Sequence, residues 1–300
     1  MRDPWRMSER MGRLRGANRV WLKGEKEMVG GLVGDLFGRL GGDSGPCVGE
    51  VLRVGFPYSS EELRGWVLRA LGHTKNGLAP GPYGIVYRLM KAVSDTWLGR
   101  ELVDEIVDNL VRGVIPPAWM EIGVVFIPKP GCDITLTKSW RPLNLINCIG
   151  KLWEKVVADR IQDFRGELFH HLQFGSVRGR SAVDVLYHSV VRAQRCLDAT
   201  GGVGWGFWNM KGGFHHVVGG EVLRCLDGVE GTRGLCQWVP EFVSLRNFEV
   251  SWDGSVRGWR GQWSGCLKAP LSPLSCSWYV WRRSWLKWND GFGRRYLAFG

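Results

Sequence analysis

Between Ile149 and Phe164 the apolar residues Ile149, Leu152, Trp153, Val156, Val157, Ile161 and Phe164 recur at helical spacing, with Lys151, Lys155, Asp159 and Asp163 opposite. Intervals of three and four place side chains on one face, so this text predicts an amphipathic helix. A second helix is predicted from the phrase SSEELRGWVLRAL. There Ser59 or Ser60 precedes Glu62 as in a capping box, and Leu63, Trp66, Val67, Ala70 and Leu71 share a face. A third opens at Ser181, with Asp184 three residues on and a stripe of Val183, Leu186, Tyr187, Val190 and Leu197. A fainter amphipathic pattern covers Met28–Leu40 and runs into a loop at Gly41–Gly49.

The strand signals are fewer. Glu121–Ile127 is short, β-branched and closed by Pro128, as a buried strand is. Gly202–Met210 is a strand candidate weakened by its glycines, followed by a turn at Gly212–Gly213 and helical text from Gly220 to Leu226. Strands alternating with helices predict an α/β or α+β arrangement around a sheet. Neither a repeat of the solenoid kind nor a low-complexity tail interrupts it.

Composition adjusts this picture in three ways. The chain has 300 residues and is 44% apolar, enough for one large or two small domains with an ordinary core. Its net charge of +11 and pI near 9.5 favour a polyanionic partner, with RNA or DNA as the natural candidates. The 43 glycines and 17 tryptophans are high counts; the usual glycine share is only ~7%. Glycine inside an element costs about 0.5–1 kcal/mol relative to alanine, so the chain reads as poorly optimised unless a G-rich codon bias explains its composition.

Other function classes recede. The 8 cysteines form no C-x-x-C pair and have no histidine at zinc spacing, so they read as reduced thiols of an intracellular, nuclear or cytoplasmic protein. The charged start MRDPWRMSERMGRLRG has no apolar stretch and is not a secretory signal. No apolar run approaches the ~20 residues of a membrane span. No small-molecule cofactor is expected, and the oligomeric state is not legible.

Three phrases stand in fixed order: FIPKPG from Phe126, SWRPLNLINCIGK from Ser139 and QFGSVRGRSAVD from Gln173. Together they resemble the fingers region of a reverse transcriptase of the non-LTR, LINE-like retrotransposon type. The resemblance implies a right-hand polymerase fold, α/β or α+β, with fingers plus an incomplete palm and the thumb missing. It implies a basic lead without a motif over residues 1–55 and a fingers/palm region over 56–300, with fingers mainly 56–205 and palm mainly 206–300. Lys129 and Arg141 would face the triphosphate of an incoming nucleotide, a task suited to paired cations. Lys138, Lys151, Arg178 and Arg180 would extend the nucleic-acid surface, and Trp140 and Trp153 are either stacking aromatics or core and turn tryptophans.

The same resemblance locates the catalytic positions. FWNMKGGF from Phe207 is similar to the family's first palm motif, with Asn209 at the aspartate and Phe214 at the aromatic gate. PGPYG from Pro80 has Tyr83 where the family has aspartate. PLSPL at Pro270–Leu274, with Tyr279 and Val280, matches a later block whose spacing puts the family's metal-binding YADD box on the YLAF of Tyr296–Phe299, so Ala298 and Phe299 replace its aspartates. The family uses Mg²⁺, a hard cation that needs anionic oxygens. His215 and His216 are adjacent and point apart on any regular element, and Asp253 and Asp290 match no family ligand. The expectation is therefore a truncated pseudoenzyme, a reverse-transcriptase-like remnant with no intact catalytic residue and no metal. The alternative is a non-catalytic, basic nucleic-acid-binding protein on the fingers scaffold.

Overall fold

Ser59 and Glu62 close the predicted capping box in both directions: the Glu62 amide donates to Ser59 Oγ at 3.3 Å and the Ser59 amide to Glu62 Oε2 at 2.9 Å. Two orphan donors of the first turn are thereby satisfied. The computed structural model describes residues 14–37 apart from positions 17 and 23, residues 58–164 and 169–206, positions 226 and 229, and residues 246–250 and 259–263. Its helices are α1 (Gly24–Phe37), α2 (Ser60–Gly72), α3 (Tyr87–Val93), α4 (Trp97–Arg112), α5 (Cys148–Ile161) and α6 (Ala182–Thr200). Its strands are β1 (Ile122–Pro128), β2 (Trp140–Ile146), β3 (Arg246–Val250) and β4 (Trp259–Trp263). No helix among the described residues is long and apolar enough to cross a membrane.

The strands form one sheet in the order β2-β1-β3-β4. β1 and β2 pair antiparallel from Ile122 opposite Ile146 to Pro128 opposite Trp140. β3 joins the other side of β1 in parallel, with Phe248 beside Ile122. A parallel neighbour needs a long crossover, and this one takes the chain through α5 and α6 before it returns. β2, which carries Pro142 in its interior, lies at an edge, where the missing N–H is tolerated.

Two cores follow from these faces. α2, α3, α4 and α5 bury Leu63, Val67, Tyr87, Met90, Ile106, Leu110, Leu152 and Trp153 against one another. The inner face of the sheet gives Ile122, Val124, Phe126, Trp140, Ile146, Phe248 and Val250 to a second core, which Leu14, Val29, Leu32 and Val33 complete. Part of the basic lead therefore packs on the sheet: α1 covers it. The strands at 246–250 and 259–263, expected in the palm region, continue the sheet begun by β1 and β2.

Several expectations change in the structure. α3, α4 and β2 to β4 are additions to the predicted elements, although Val103, Ile106, Val107 and Leu110 of α4 do carry helical spacing. Gly202–Gly206 forms no strand, as alternate glycines have no side chain to pack. The rest of that candidate and the turn at Gly212–Gly213 lie outside the described residues, as does the helical text up to Leu226, which is itself helical. α6 forms with its capping box, yet the stripe of Val183, Leu186, Tyr187, Val190 and Leu197 stands 42–71% exposed. Periodicity identifies an apolar face without supplying a partner for it.

The capping boxes make an acid prediction. Hydrogen bonds from Ser181 lower the Asp184 carboxyl, and those from Ser59 lower Glu62. A depressed carboxylate contributes stability that is present above its unfolded value and lost as pH falls through its folded value. Stability to urea is thus expected to decline as pH drops below about 4. Ser181→Ala, which costs about 1 kcal/mol at neutral pH, is expected to flatten that decline; an unchanged acid limb in the variant would count against the caps as its source.

Candidate nucleic-acid interface

The β1–β2 hairpin carries the first cluster of predicted cations. Lys129 follows the last residue of β1, and its amide donates to the Ser139 carbonyl at 2.8 Å, continuing the ladder by one pair. Arg141 lies opposite Ile127. Directly opposed residues share a face, and Trp140 next to Arg141 is buried on the inner one, so Arg141 is exposed on the outer face beside Ile127. The Lys129 ammonium donates to the Lys138 carbonyl at 2.5 Å, which fixes it at the loop end of the hairpin next to the exposed Lys138.

The connection between the strands is held rigid by its own polar groups and by the N-terminal segment. Thr135 donates from both its amide and hydroxyl to Asp133 Oδ1, at 2.9 and 2.7 Å. Arg15 Nη2 pairs with Asp133 at 3.1 Å and donates to the Thr135 hydroxyl at 2.7 Å. Hydrogen bonds from Thr135 hold the Asp133 carboxyl below its usual range, and Arg15 adds to the effect. Asp133 is thus occupied by Arg15. None of Lys129, Lys138 and Arg141 has a carboxylate within ion-pair distance among the described residues.

The remaining predicted cations are placed differently. Lys151, expected on the polar face of α5 opposite the apolar stripe, is only 9% exposed, and its ammonium donates to the Ala79 carbonyl at 3.1 Å. Burial lowers its pKa from the usual lysine value. Lys151 is an internal tie rather than an open phosphate contact. Arg180 Nη1 donates to the carbonyls of His170 and Gln173 at 2.7 and 2.5 Å, so its role is to close the segment ahead of α6. Arg178 pairs with Asp159 at 3.0 Å and Asp163 at 3.7 Å. Trp140 and Trp153 are each 1% exposed, the core alternative rather than stacking platforms.

Two of the recognised phrases meet in space. The PGPYG turn packs on Asn147: a Cβ added at Gly81 would fall 2.4 Å from the Asn147 nitrogen. The Tyr83 amide donates to Asn147 Oδ1 at 3.2 Å, and Asn147 Nδ2 donates to the Ala118 carbonyl at 2.8 Å. Tyr83 donates its hydroxyl to Glu121 at 2.8 Å; that carboxylate holds the phenol above its usual value. Gly150 of the second phrase faces the Trp119 carbonyl, which an added Cβ would approach to 2.5 Å. Sequence reasoning does not single out Asn147, Glu121 or Arg15. A glycine between two prolines signals a tight backbone approach, but its partner 66 positions away carries no local signal.

Asn209, Phe214, Ala298 and Phe299 lie outside the described residues. Among the described residues no group of three His, Cys, Asp or Glu side chains is placed to hold a metal ion.

The chain is similar to known proteins. The family model described as reverse transcriptase (RNA-dependent DNA polymerase) matches residues 127–280. A probable RNA-directed DNA polymerase from transposon BS of Drosophila melanogaster is 29% identical over 85 residues, covering 28% of this chain and 9% of that protein. An uncharacterized 149 kDa protein of transposon TX1 from Xenopus laevis is 27% identical over 135 residues, 45% of this chain and 10% of the relative. A retrovirus-related Pol polyprotein from the type-1 retrotransposable element R2 of Popillia japonica is 30% identical over 84 residues, 28% of this chain and 11% of the relative. Each match spans about a tenth of the relative's length. With more than half of its residues inside the family model and its relatives among such elements, the chain belongs to the reverse transcriptase family as a LINE-like retrotransposon domain.

Proposed function

We propose that this domain binds the phosphates of RNA or DNA through the β1–β2 hairpin and does not polymerise. The binding half is supported by one observation above the rest: Lys129, Lys138 and Arg141 gather at one end of a braced hairpin with no carboxylate partner among the described residues. Cations that carry no internal pair leave their full charge for a polyanion.

The catalytic half is argued from donor chemistry. Phosphoryl transfer by two metals uses ions about 4 Å apart, held by carboxylates. At the three positions that match the family's ligands, Asn209 offers one neutral carbonyl oxygen, and Ala298 and Phe299 offer none. That set does not fit Mg²⁺. No step of a polymerase reaction is therefore assigned to this chain.

Primer extension on an RNA template with Mg²⁺ or Mn²⁺ is expected to give no product, and extension above an enzyme-free blank would overturn the inactive reading. For binding, K129A/R141A is expected to weaken affinity for single-stranded RNA and to reduce the salt slope by roughly 0.7 for each phosphate the variant no longer neutralises. Affinity and slope equal to those of the unaltered chain would remove the hairpin as the interface.

A further inference from the structure

A groove of about 330 Å³ opens between α2 and the C-terminal half of α5. Its lining includes Trp66, Arg69, Lys155, Asp159, Arg160 and Arg178. We infer that this groove is a second anion site, separate from the hairpin, which takes a phosphate group of a bound nucleic-acid strand. The inference rests on the nucleic-acid reading above and adds a place to it.

Three of the groove's cations, Lys155, Arg160 and Arg178, are held in place before any ligand arrives. The Arg160 guanidinium lies 4.2 Å from the Trp66 ring centroid, and Tyr58 packs edge-on against the same indole at 4.6 Å. Arg160 also pairs with Asp163 at 2.9 Å, and Lys155 with Asp159 at 3.5 Å. The Lys155 and Arg160 side chains are each only 20% exposed, so little side-chain entropy remains to be lost on binding. Arg178 crosses from the segment ahead of α6 to both carboxylates.

Charge decides the class of ligand. Arg69, Lys155, Arg160 and Arg178 are answered by Asp159 in the groove and by Asp163 beside it, which leaves a positive excess of two. Arg69 is exposed and has no ion-pair partner among the described residues, and Arg160 Nε is buried without a hydrogen-bond partner. A guanidinium has five N–H donors, and pairing with one carboxylate leaves some of them unused. A phosphate supplies several acceptor oxygens that forked donors can reach from different sides. The positive excess disfavours a cationic ligand.

The test uses the full chain and labelled single-stranded RNA, titrated across a range of salt. Arg69→Glu and the double variant R69E/K155Q are expected to lower affinity severalfold and to reduce the salt slope by roughly 0.7 for each phosphate the groove engages. Inorganic tripolyphosphate is expected to compete with RNA in the unaltered chain and to compete less effectively in R69E, where only the hairpin remains to bind it. Arg69 is exposed, so R69E is expected to keep the thermal transition of the unaltered chain; a slope change at unchanged transition then reports the groove and not the fold. If R69E binds RNA normally while K129A/R141A does not, the inference falls and the hairpin reading stands. Polyglutamate competing as well as tripolyphosphate overturns the phosphate assignment. If the unaltered chain binds no RNA, both fall.

Discussion

Trp140→Ala is expected to lower the stability of the domain by about 3–5 kcal/mol, read as a shift in the urea midpoint. The indole is 1% exposed and stands among the largest fully buried side chains. It sits at the first position of β2, opposite Pro128, within the core shared by the sheet and the N-terminal residues Leu14, Val29, Leu32 and Val33. Removing it leaves a cavity that rigid strands on one side cannot collapse to fill. Its Nε1 also donates to the Ile134 carbonyl at 2.9 Å, so the alanine variant frees an acceptor in the hairpin connection. Trp140→Phe separates the two effects: it keeps much of the volume and loses the hydrogen bond, for which about 1 kcal/mol is expected. A loss in the alanine variant no larger than in the phenylalanine variant would show that packing at this site contributes little.

Asn147→Ala is expected to cost about 2–4 kcal/mol, the second-largest effect. The side chain is 4% exposed and joins three segments: it accepts from Tyr83 in the PGPYG turn, donates to Ala118, and immediately precedes α5. Truncation leaves the Tyr83 amide and the Ala118 carbonyl without these partners. The desolvation cost of such groups exceeds the net value of the bonds themselves. Asn147→Asp is expected to be nearly as harmful, because it sets an acceptor against the Ala118 carbonyl where a donor is required. The comparison is Tyr83→Phe, which removes only an exposed hydroxyl contact to Glu121 and is expected to stay within about 0.5 kcal/mol. Equal losses in Asn147→Ala and Tyr83→Phe, measured by urea unfolding, would contradict the joining role of Asn147.

The candidate cations illustrate how far residue identity reaches. Lys129, Lys151 and Arg178 are basic and stand in neighbouring phrases, which by itself predicts one shared surface. The fold separates them: Lys129 is at the hairpin end, Lys151 is buried beneath the PGPYG turn, and Arg178 is tied to α5. Whether a lysine faces solvent depends on what packs above its helix. For Lys151 the covering backbone is Ala79, 72 positions earlier, and no helical period within α5 encodes it. The groove lined by Arg69 and Arg160 is illegible in the sequence for the same reason, since its two walls come from helices distant along the chain.

By itself the sequence determined what depends on neighbours within a turn or two. The capping boxes at Ser59 and Ser181, the strand ending at Pro128, the amphipathic core of α5 and the family phrases are all local, because caps, periodicity and proline act over a few residues. It also fixed that Asn209, Ala298 and Phe299 carry no carboxylate, which no fold can alter. The tertiary structure alone decided the rest. It placed β3 parallel to β1, set α1 over the inner face of the sheet, and buried Lys151 while it left the α6 stripe exposed. Each of these depends on which surfaces meet across long stretches of chain, and hydrophobic burial is non-directional, so an apolar face in the sequence does not name the face that will cover it.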